Sequence, residues 1–393
     1  MLKQVCFVAP GVMWPERGGT SELLYNLLRE FGNLGITSYL ITYYSKIYDG
    51  YLAGIRHYSY IKCEIVQRHS LMRQRKRLPI SFNYEAVKMS LSSGFRHFID
   101  ALLRCFDSDV VVVTTCWPSL PATVTAKSYG TPSVLYISAI ESHPCHGLNI
   151  FDRTFARTLE DIGIARTSRV ITVSEYDRDL IVRRGAPPEK VKLVPNFVDC
   201  SRYAKVKEDK IAEIKGRYDL NGGAVVFIGG LDYPPNRLAV KRICEEIAPR
   251  VIADVPNAKF LVIGRSPPRE FNHPSVMFMG HVYGDELAPY LLASDVAIAP
   301  IEFGTGTRLK ILEYFAAGKP VVSTSTGALG LDVSNGINIL IEDDYRRFSD
   351  QIVRLLTNYG LSKSLGDEAL KLCRAKHDSK IVVQQFLKVL EEA

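Results

Sequence analysis

The run Phe303-Gly304-Thr305-Gly306-Thr307-Arg308-Leu309-Lys310-Ile311-Leu312-Glu313 decides how this chain is read. It follows an apolar, strand-like run, Val296-Ala297-Ile298-Ala299-Pro300, and opens a helical stretch that stops at Gly318-Lys319-Pro320. A second strand-like run, Val321-Val322-Ser323-Thr324, comes next. Glycines and threonines just ahead of a helix leave backbone N–H groups without intrahelical partners, and such a helix start attracts anions, phosphate above all. Arg308 and Lys310 put positive charge at the same end, where the helix dipole disfavours it unless an anion is bound. The stretch therefore predicts an anion site formed by Gly304, Thr305, Gly306, Thr307, Arg308 and Lys310. Lys310 and Glu313 are three apart, so a simple surface pair between them stays open as an alternative.

Outward from that stretch, short runs of Val, Ile, Leu and Phe alternate with helical patterns. Strands are expected at 4–9, 38–43, 109–115, 133–138, 170–173 and 191–194, then at 224–228, 259–263, 276–279, 295–299, 320–324 and 337–341. Near-continuous apolar strands are what a parallel sheet covered on both faces requires. Between them, Leu24, Leu27, Leu28 and Phe31 mark one buried helix face. The βαβα alternation predicts an α/β fold of two Rossmann-like, doubly wound domains facing across a cleft. The pattern restarts after a polar stretch, Cys200 to Asn221, where Asn221-Gly222-Gly223 leads into a fresh strand. The expected domains are 1–200 and 201–374, with a C-terminal helix over 375–393 returning to the first.

The chain has 393 residues, 47% hydrophobic and 23% charged, with a formal net charge of +7. Two ordinary globular domains fit that length. The positive excess suits a phosphate-bearing ligand or an anionic surface and is too small to argue for nucleic acid. The eight cysteines show no Cys-x-x-Cys pair and are read as reduced core residues of a cytoplasmic protein. His143, Cys145 and His146 lie close together, but no second cluster has zinc-like spacing, so no metal is expected. No run is long and apolar enough to span a bilayer, and no signal peptide is read at the N-terminus. One segment, Arg68, His69, Arg73, Arg75, Lys76 and Arg77 interleaved with Leu71, Met72 and Leu78, is either a solvated loop or a contact with an anionic membrane surface.

A glycine pair, Gly18-Gly19, sits in the loop between the first strand and the first helix, without the Gly-x-Gly-x-x-Gly spacing of a dinucleotide fingerprint. With this loop, four further segments resemble one family. Val170-Ile171-Thr172-Val173-Ser174-Glu175 and Val194-Pro195-Asn196-Phe197-Val198-Asp199 read as its exit from the first domain. Phe227-Ile228-Gly229-Gly230 through Pro234-Pro235-Asn236 reads as the opening of its second. The block 303–324 is the most specific. In order and spacing these segments resemble the GT-B fold glycosyltransferases of glycosyltransferase family 4.

That resemblance implies a retaining, metal-independent transfer of a sugar from a nucleoside diphosphate sugar to an acceptor hydroxyl, with no cofactor beyond the donor. The acceptor would be a glycan or lipid-linked molecule of polysaccharide or glycolipid synthesis, handled in the cytoplasm or at the inner face of the cell membrane. Glu313 matches the carboxylate that holds the ribose hydroxyls. Gly229, Gly230 and the 304–308 loop would line the donor, and Arg308 and Lys310 would neutralise the departing diphosphate. Gly18, Gly19, Glu141 and Ser174 are the candidate loop residues of the first domain. The chain departs from the family pattern at three places. Thr305 stands where a second glutamate is common. Gly230 and Pro235 or Asn236 stand where an Arg and a Lys are common. Ser138 stands at the position of a first-domain histidine, with Glu141 and His143 nearby, so His143 is the candidate substitute. Two other readings fit the same fold: a nucleotide-sugar binding protein without turnover, and an isomerase acting on the nucleotide sugar alone.

Overall fold

The computed structural model describes residues 2–14, 19–47, 58–60, 90–91, 93–144, 149–268, 270–282, 284–304 and 306–393. The chain divides into two compact units, residues 1–196 with 382–393, and residues 197–381.

In the first unit, seven strands form one parallel sheet: β1 (Gln4–Trp14), β2 (Thr37–Ile47), β3 (Tyr58–Tyr60), β4 (Val110–Thr114), β5 (Ser133–Ile137), β6 (Arg169–Thr172) and β7 (Val191–Leu193), in the order β3-β2-β1-β4-β5-β6-β7. All the pairings in this sheet are parallel. β4 and β5 are buried along their whole length, as strands covered on both faces must be. The helix Gly19–Asn33 buries Leu24, Leu27, Leu28 and Phe31, the face its spacing predicts. The last helix, Ser379–Glu391, contributes Phe386, whose ring meets Phe31 edge-on at 6.2 Å and Tyr136 at 5.4 Å between centroids.

The second unit is built on a six-stranded parallel sheet: β8 (Ala224–Ile228), β9 (Lys259–Ile263), β10 (Val276–Gly280), β11 (Val296–Ala299), β12 (Val321–Ser323) and β13 (Leu340–Ile341), in the order β10-β9-β8-β11-β12-β13. In both sheets the chain first builds outward on one side and then jumps to the other. The order reverses between β1 and β4 in the first unit, and between β8 and β11 in the second. Ligands of such sheets bind outside the carboxyl ends of the two strands at the reversal.

The sequence reading divides the chain at 200/201 and 374/375, whereas the compact units divide at 196/197 and 381/382. Residues 197–200 join the second unit through a parallel bridge: Val198 N donates to His377 O at 2.9 Å, and Ser379 N donates to Val198 O at 3.0 Å. The twelve expected strands are present, with three differences. β3, a three-residue edge strand, carries no apolar run to betray it. β1 and β2 run on to Trp14 and Ile47, paired along that extension. Of the expected strand 337–341 only Leu340 and Ile341 join the sheet, because residues 334–339 close a turn in which Gly336 N donates to Ile339 O at 2.8 Å.

Candidate functional site

The reversal point of the second unit carries the motif that opened the reading. β8 leads into Gly229-Gly230, β11 leads into the 300–308 loop, and that loop delivers the helix Leu309–Ala316. Ile311, Leu312 and Phe315 bury one face of this helix. Tyr314, fully buried, pins it to the sheet: its hydroxyl accepts from Ile228 N at 2.8 Å and donates to Ile298 O at 3.4 Å. These two bonds join the helix to β8 and β11, so the first turn stands over the carboxyl ends of both strands.

Lys310 and Glu313 do not pair with each other on that helix; each reaches a different partner. Lys310 Nζ donates to Asn236 Oδ1 at 2.7 Å and lies 4.0 Å from the centre of the Phe227 ring. Asn236 in turn donates from Nδ2 to Gly230 O at 2.9 Å, which fixes its amide. A Cβ placed on Gly229 would lie 2.6 Å from Asn236 Nδ2 and 3.0 Å from Lys310 Nζ, so the ammonium nestles against bare backbone. Desolvation of that ammonium, with a smaller contribution from the Arg308 guanidinium, pushes its pKa well below the usual lysine range. A desolvated cation next to a second cation is the arrangement an anionic ligand would complete.

Arg308 is the residue just before the helix and donates from its guanidinium to Phe303 O at 3.3 Å. Gly304, at φ +109°, passes beneath that guanidinium and the Tyr233 hydroxyl; a Cβ there would sit 2.9 Å from Arg308 Nη2 and 3.2 Å from Tyr233 Oη. Within the first turn of the helix, Ile311 N donates to Arg308 O at 2.9 Å. Gly306 and Thr307 follow in the same loop, and Thr305 lies outside the described residues.

Glu313 is held by two residues that the sequence reading missed. Its Oε2 accepts from the Arg202 guanidinium and from the Tyr203 hydroxyl, in a setting where the Arg202 and Glu313 side chains are only 9% and 14% exposed. Both belong to the short helix Ser201–Ala204, at the start of the stretch read as a polar linker. The signal was present in the form of a Tyr and an Arg side by side, but nothing in their spacing connects them to position 313.

Among the first-unit candidates, His143 meets through Tyr176 the helix Glu175–Arg183 that Ser174 caps. Gly19 opens the first helix, and Gly18 lies outside the described residues, as does the basic segment 68–77. Ser174 caps the helix Glu175–Arg183: its Oγ accepts from Asp177 N at 3.1 Å and donates to Asp177 Oδ2 at 2.7 Å, so its hydroxyl is committed to the cap. His143 Nε2 and Tyr176 Oη are hydrogen-bonded at 3.1 Å. Glu141, half-buried, is pushed up to about 7 by burial and by the Glu160 carboxylate nearby. Glu160 is itself fixed, accepting from Ser142 N at 3.0 Å, Ser142 Oγ at 2.6 Å and Arg184 Nη1 at 2.6 Å. At the reversal point of this unit stands Thr115, expected as a strand residue but turned to φ +65° directly after β4. A β-branched residue in the left-handed region stores strain, which proteins keep chiefly at functional positions.

Among the described residues, no group of three His, Cys, Asp or Glu side chains is arranged to hold a metal, and no helix is long and apolar enough to cross a membrane.

Comparison with known proteins agrees with this architecture. Residues 17–202 match the family described as Glycosyltransferase Family 4, and residues 222–358 match that described as Glycosyl transferases group 1. An uncharacterized 44.6 kDa protein in the cps region of Klebsiella pneumoniae is 25% identical over 44% of this chain and 47% of its own length. A phosphatidyl-myo-inositol mannosyltransferase of Mycolicibacterium smegmatis is 24% identical over 50% of this chain and 51% of its own length. The chain thus spans about half the length of these two curated relatives. The crystal structure of Anabaena Alr3699/HepE in complex with UDP shares the fold with a TM-score of 0.76 at 13% identity, over 99% of this chain and 100% of that one. Two family matches that follow one another along the chain, and two parallel sheets that each reverse their strand order once, carry one conclusion: the chain belongs to the GT-B glycosyltransferases of the group 1, family 4 type.

Proposed function

We propose that this chain transfers a sugar from a nucleoside diphosphate sugar, held by the second unit, to a hydroxyl of a glycan or lipid-linked acceptor in polysaccharide or glycolipid synthesis. The observation that carries the reading is the placement of Arg308 and Lys310 at the start of the helix that Tyr314 fixes to β8 and β11, with Glu313 one turn further along the same helix. Lys310 and Arg308 supply the positive charge that a departing nucleoside diphosphate requires, so the reaction needs no metal for that task. Glu313 supplies a carboxylate acceptor suited to ribose hydroxyls. The family pattern places an Arg and a Lys just after β8, where this chain has Gly230 and Pro235 or Asn236. Lys310 reaches back from the helix to Asn236, which supports a transfer of that cationic role to the 308–310 segment. Retention of configuration is proposed on the family likeness. The related proteins add weight: one is named a phosphatidyl-myo-inositol mannosyltransferase, and one neighbour was crystallised with UDP and glucose.

Sugar transfer by the purified protein, with UDP-, GDP- and dTDP-sugars and lipid-linked or free glycan acceptors, tests the reading. Turnover with one donor, abolished in Glu313→Ala and Lys310→Ala, is expected. Donor binding without turnover on any acceptor supports a binding protein instead, and product from donor alone supports an isomerase. Wild-type rates in both variants contradict the site.

A further inference from the structure

Two features of the Glu313 contact go beyond a simple ion pair. First, both bonds go to the same oxygen, Oε2. Oε1 takes neither, so the carboxylate is gripped by one edge and presents the other. Second, the grip is braced from several sides. Arg202 also donates to Tyr203 Oη at 3.2 Å, and its guanidinium lies 5.2 Å from the centre of the Tyr203 ring. Asp199 Oδ1 accepts from Ser201 N at 3.0 Å and Ser201 Oγ at 2.6 Å, closing the turn that presents both side chains. Val198, just upstream, is stitched by the paired bonds to His377 and Ser379 described above. Tyr203 is itself 6% exposed. Such bracing is more than one ordinary surface carboxylate requires.

We propose that Arg202 and Tyr203 are positioning residues that aim Glu313 at the ribose of the bound nucleoside diphosphate. The inference rests on the donor-site reading and adds which oxygen is used and what holds it. Oε2 is anchored, and Oε1 accepts from the ribose hydroxyls. A carboxylate oxygen has two lone-pair positions, so Oε1 alone can serve a vicinal diol. An untethered glutamate samples several rotamers, and ordering it on binding would subtract from affinity. Anchoring one edge removes that cost before the ligand arrives. The guanidinium also offsets the carboxylate charge at the mouth of a site that must accept an anion.

The test is equilibrium binding of UDP, GDP and dTDP, each compared with its dideoxyribose analogue, to the full-length wild type and to Tyr203→Phe, Arg202→Gln, Arg202→Lys and Glu313→Ala, with folding checked by thermal unfolding. In the wild type, the ribose form of the preferred nucleotide binds about 10- to 100-fold more tightly than the dideoxy form, the range expected for hydrogen bonds to a charged group. Tyr203→Phe and Arg202→Gln each shrink that ratio by about 3- to 10-fold, while leaving affinity for the dideoxy form nearly unchanged. Glu313→Ala abolishes the ratio, and Arg202→Lys restores part of what Arg202→Gln loses. A purely structural role would weaken both forms equally, and that result overturns the proposal. So does a folded variant that retains the wild-type ratio. If none of UDP, GDP and dTDP binds the wild type, the donor-site reading itself fails and this inference falls with it.

Discussion

Lys310 Nζ donates to Asn236 Oδ1 at 2.7 Å although the two residues are 74 positions apart. This bond ties the first turn of the helix Leu309–Ala316 to the loop that follows β8 and sets an ammonium against the bare backbone of Gly229. A lysine held there is poised to change its proton count when an anion arrives.

Nucleoside diphosphate binding is predicted to take up protons at a pH above the depressed pKa of Lys310. In the free protein at such a pH the amine is partly neutral, and the bound anion restores the ammonium. Titration calorimetry in buffers of different ionisation enthalpy reads this directly. Proton uptake is expected in the wild type and absent in Lys310→Met. The same shift sets a stability signature. A lysine whose pKa is lower in the folded state holds fewer protons there than when unfolded. The ligand-free protein therefore gains stability, relative to Lys310→Met, as pH rises from the depressed value toward the ordinary lysine value of 10.5.

Glu141 predicts the opposite slope. Its carboxyl rises from 4.5 to about 7 in the folded protein, so the folded state keeps a proton that the unfolded state releases. Relative to Glu141→Gln, the wild type should lose stability as pH climbs from about 4.5 to about 7 and change little above that. Denaturant midpoints measured across that window check it. A flat difference would mean that Glu160 and burial do not act on Glu141.

Arg184 and Glu160 form a buried pair, with side chains 5% and 1% exposed. Removing Arg184 leaves the buried Glu160 carboxylate with Ser142 alone, whereas Arg184 keeps Asp161 at 2.8 Å when Glu160 is removed. Arg184→Met is expected to cost about 3–5 kcal/mol of stability, read as a fall in the unfolding midpoint. A loss below about 1 kcal/mol would rank the pair with ordinary surface bridges.

Gly264 directly follows β9 and faces the backbone of Gly229, which directly follows β8. A Cβ there would lie 1.8 Å from Gly229 O, a backbone atom with no flexible end to move. Gly264→Ala should cost about 3 kcal/mol or more, because it drives apart the two strands that present the site. Weakened nucleotide binding should accompany it, since Gly229 lines Lys310. Thr115 offers the converse: Thr115→Gly at φ +65° should relieve strain and raise stability by about 1 kcal/mol. An unchanged midpoint in both variants would show that neither backbone position is constrained as described.

How much of this was legible in the sequence depended on the kind of interaction. The apolar runs identified the strands because burial on both faces of a parallel sheet leaves a continuous hydrophobic trace. β3 was missed because Tyr58-Ser59-Tyr60 is an edge strand and leaves none. The 303–313 stretch pointed to a candidate site because backbone exposure and charge are written there in consecutive residues. Arg202 and Tyr203 were invisible for the opposite reason: their contact with Glu313 spans more than a hundred positions and depends on the bridge at Val198, which no local pattern encodes. Ser174, a candidate loop residue of the first domain, has a local role that its position already suggests. A serine before a helix is most simply a cap, and the structure uses it as one.

The most direct test of the central claim is equilibrium binding of UDP and GDP to the wild type and to Lys310→Met. Micromolar binding of one nucleotide, weakened about 10- to 100-fold by the substitution with the fold intact, is the predicted result. Equal affinity in the two proteins would contradict the claim that the helix start at β8 and β11 grips the diphosphate.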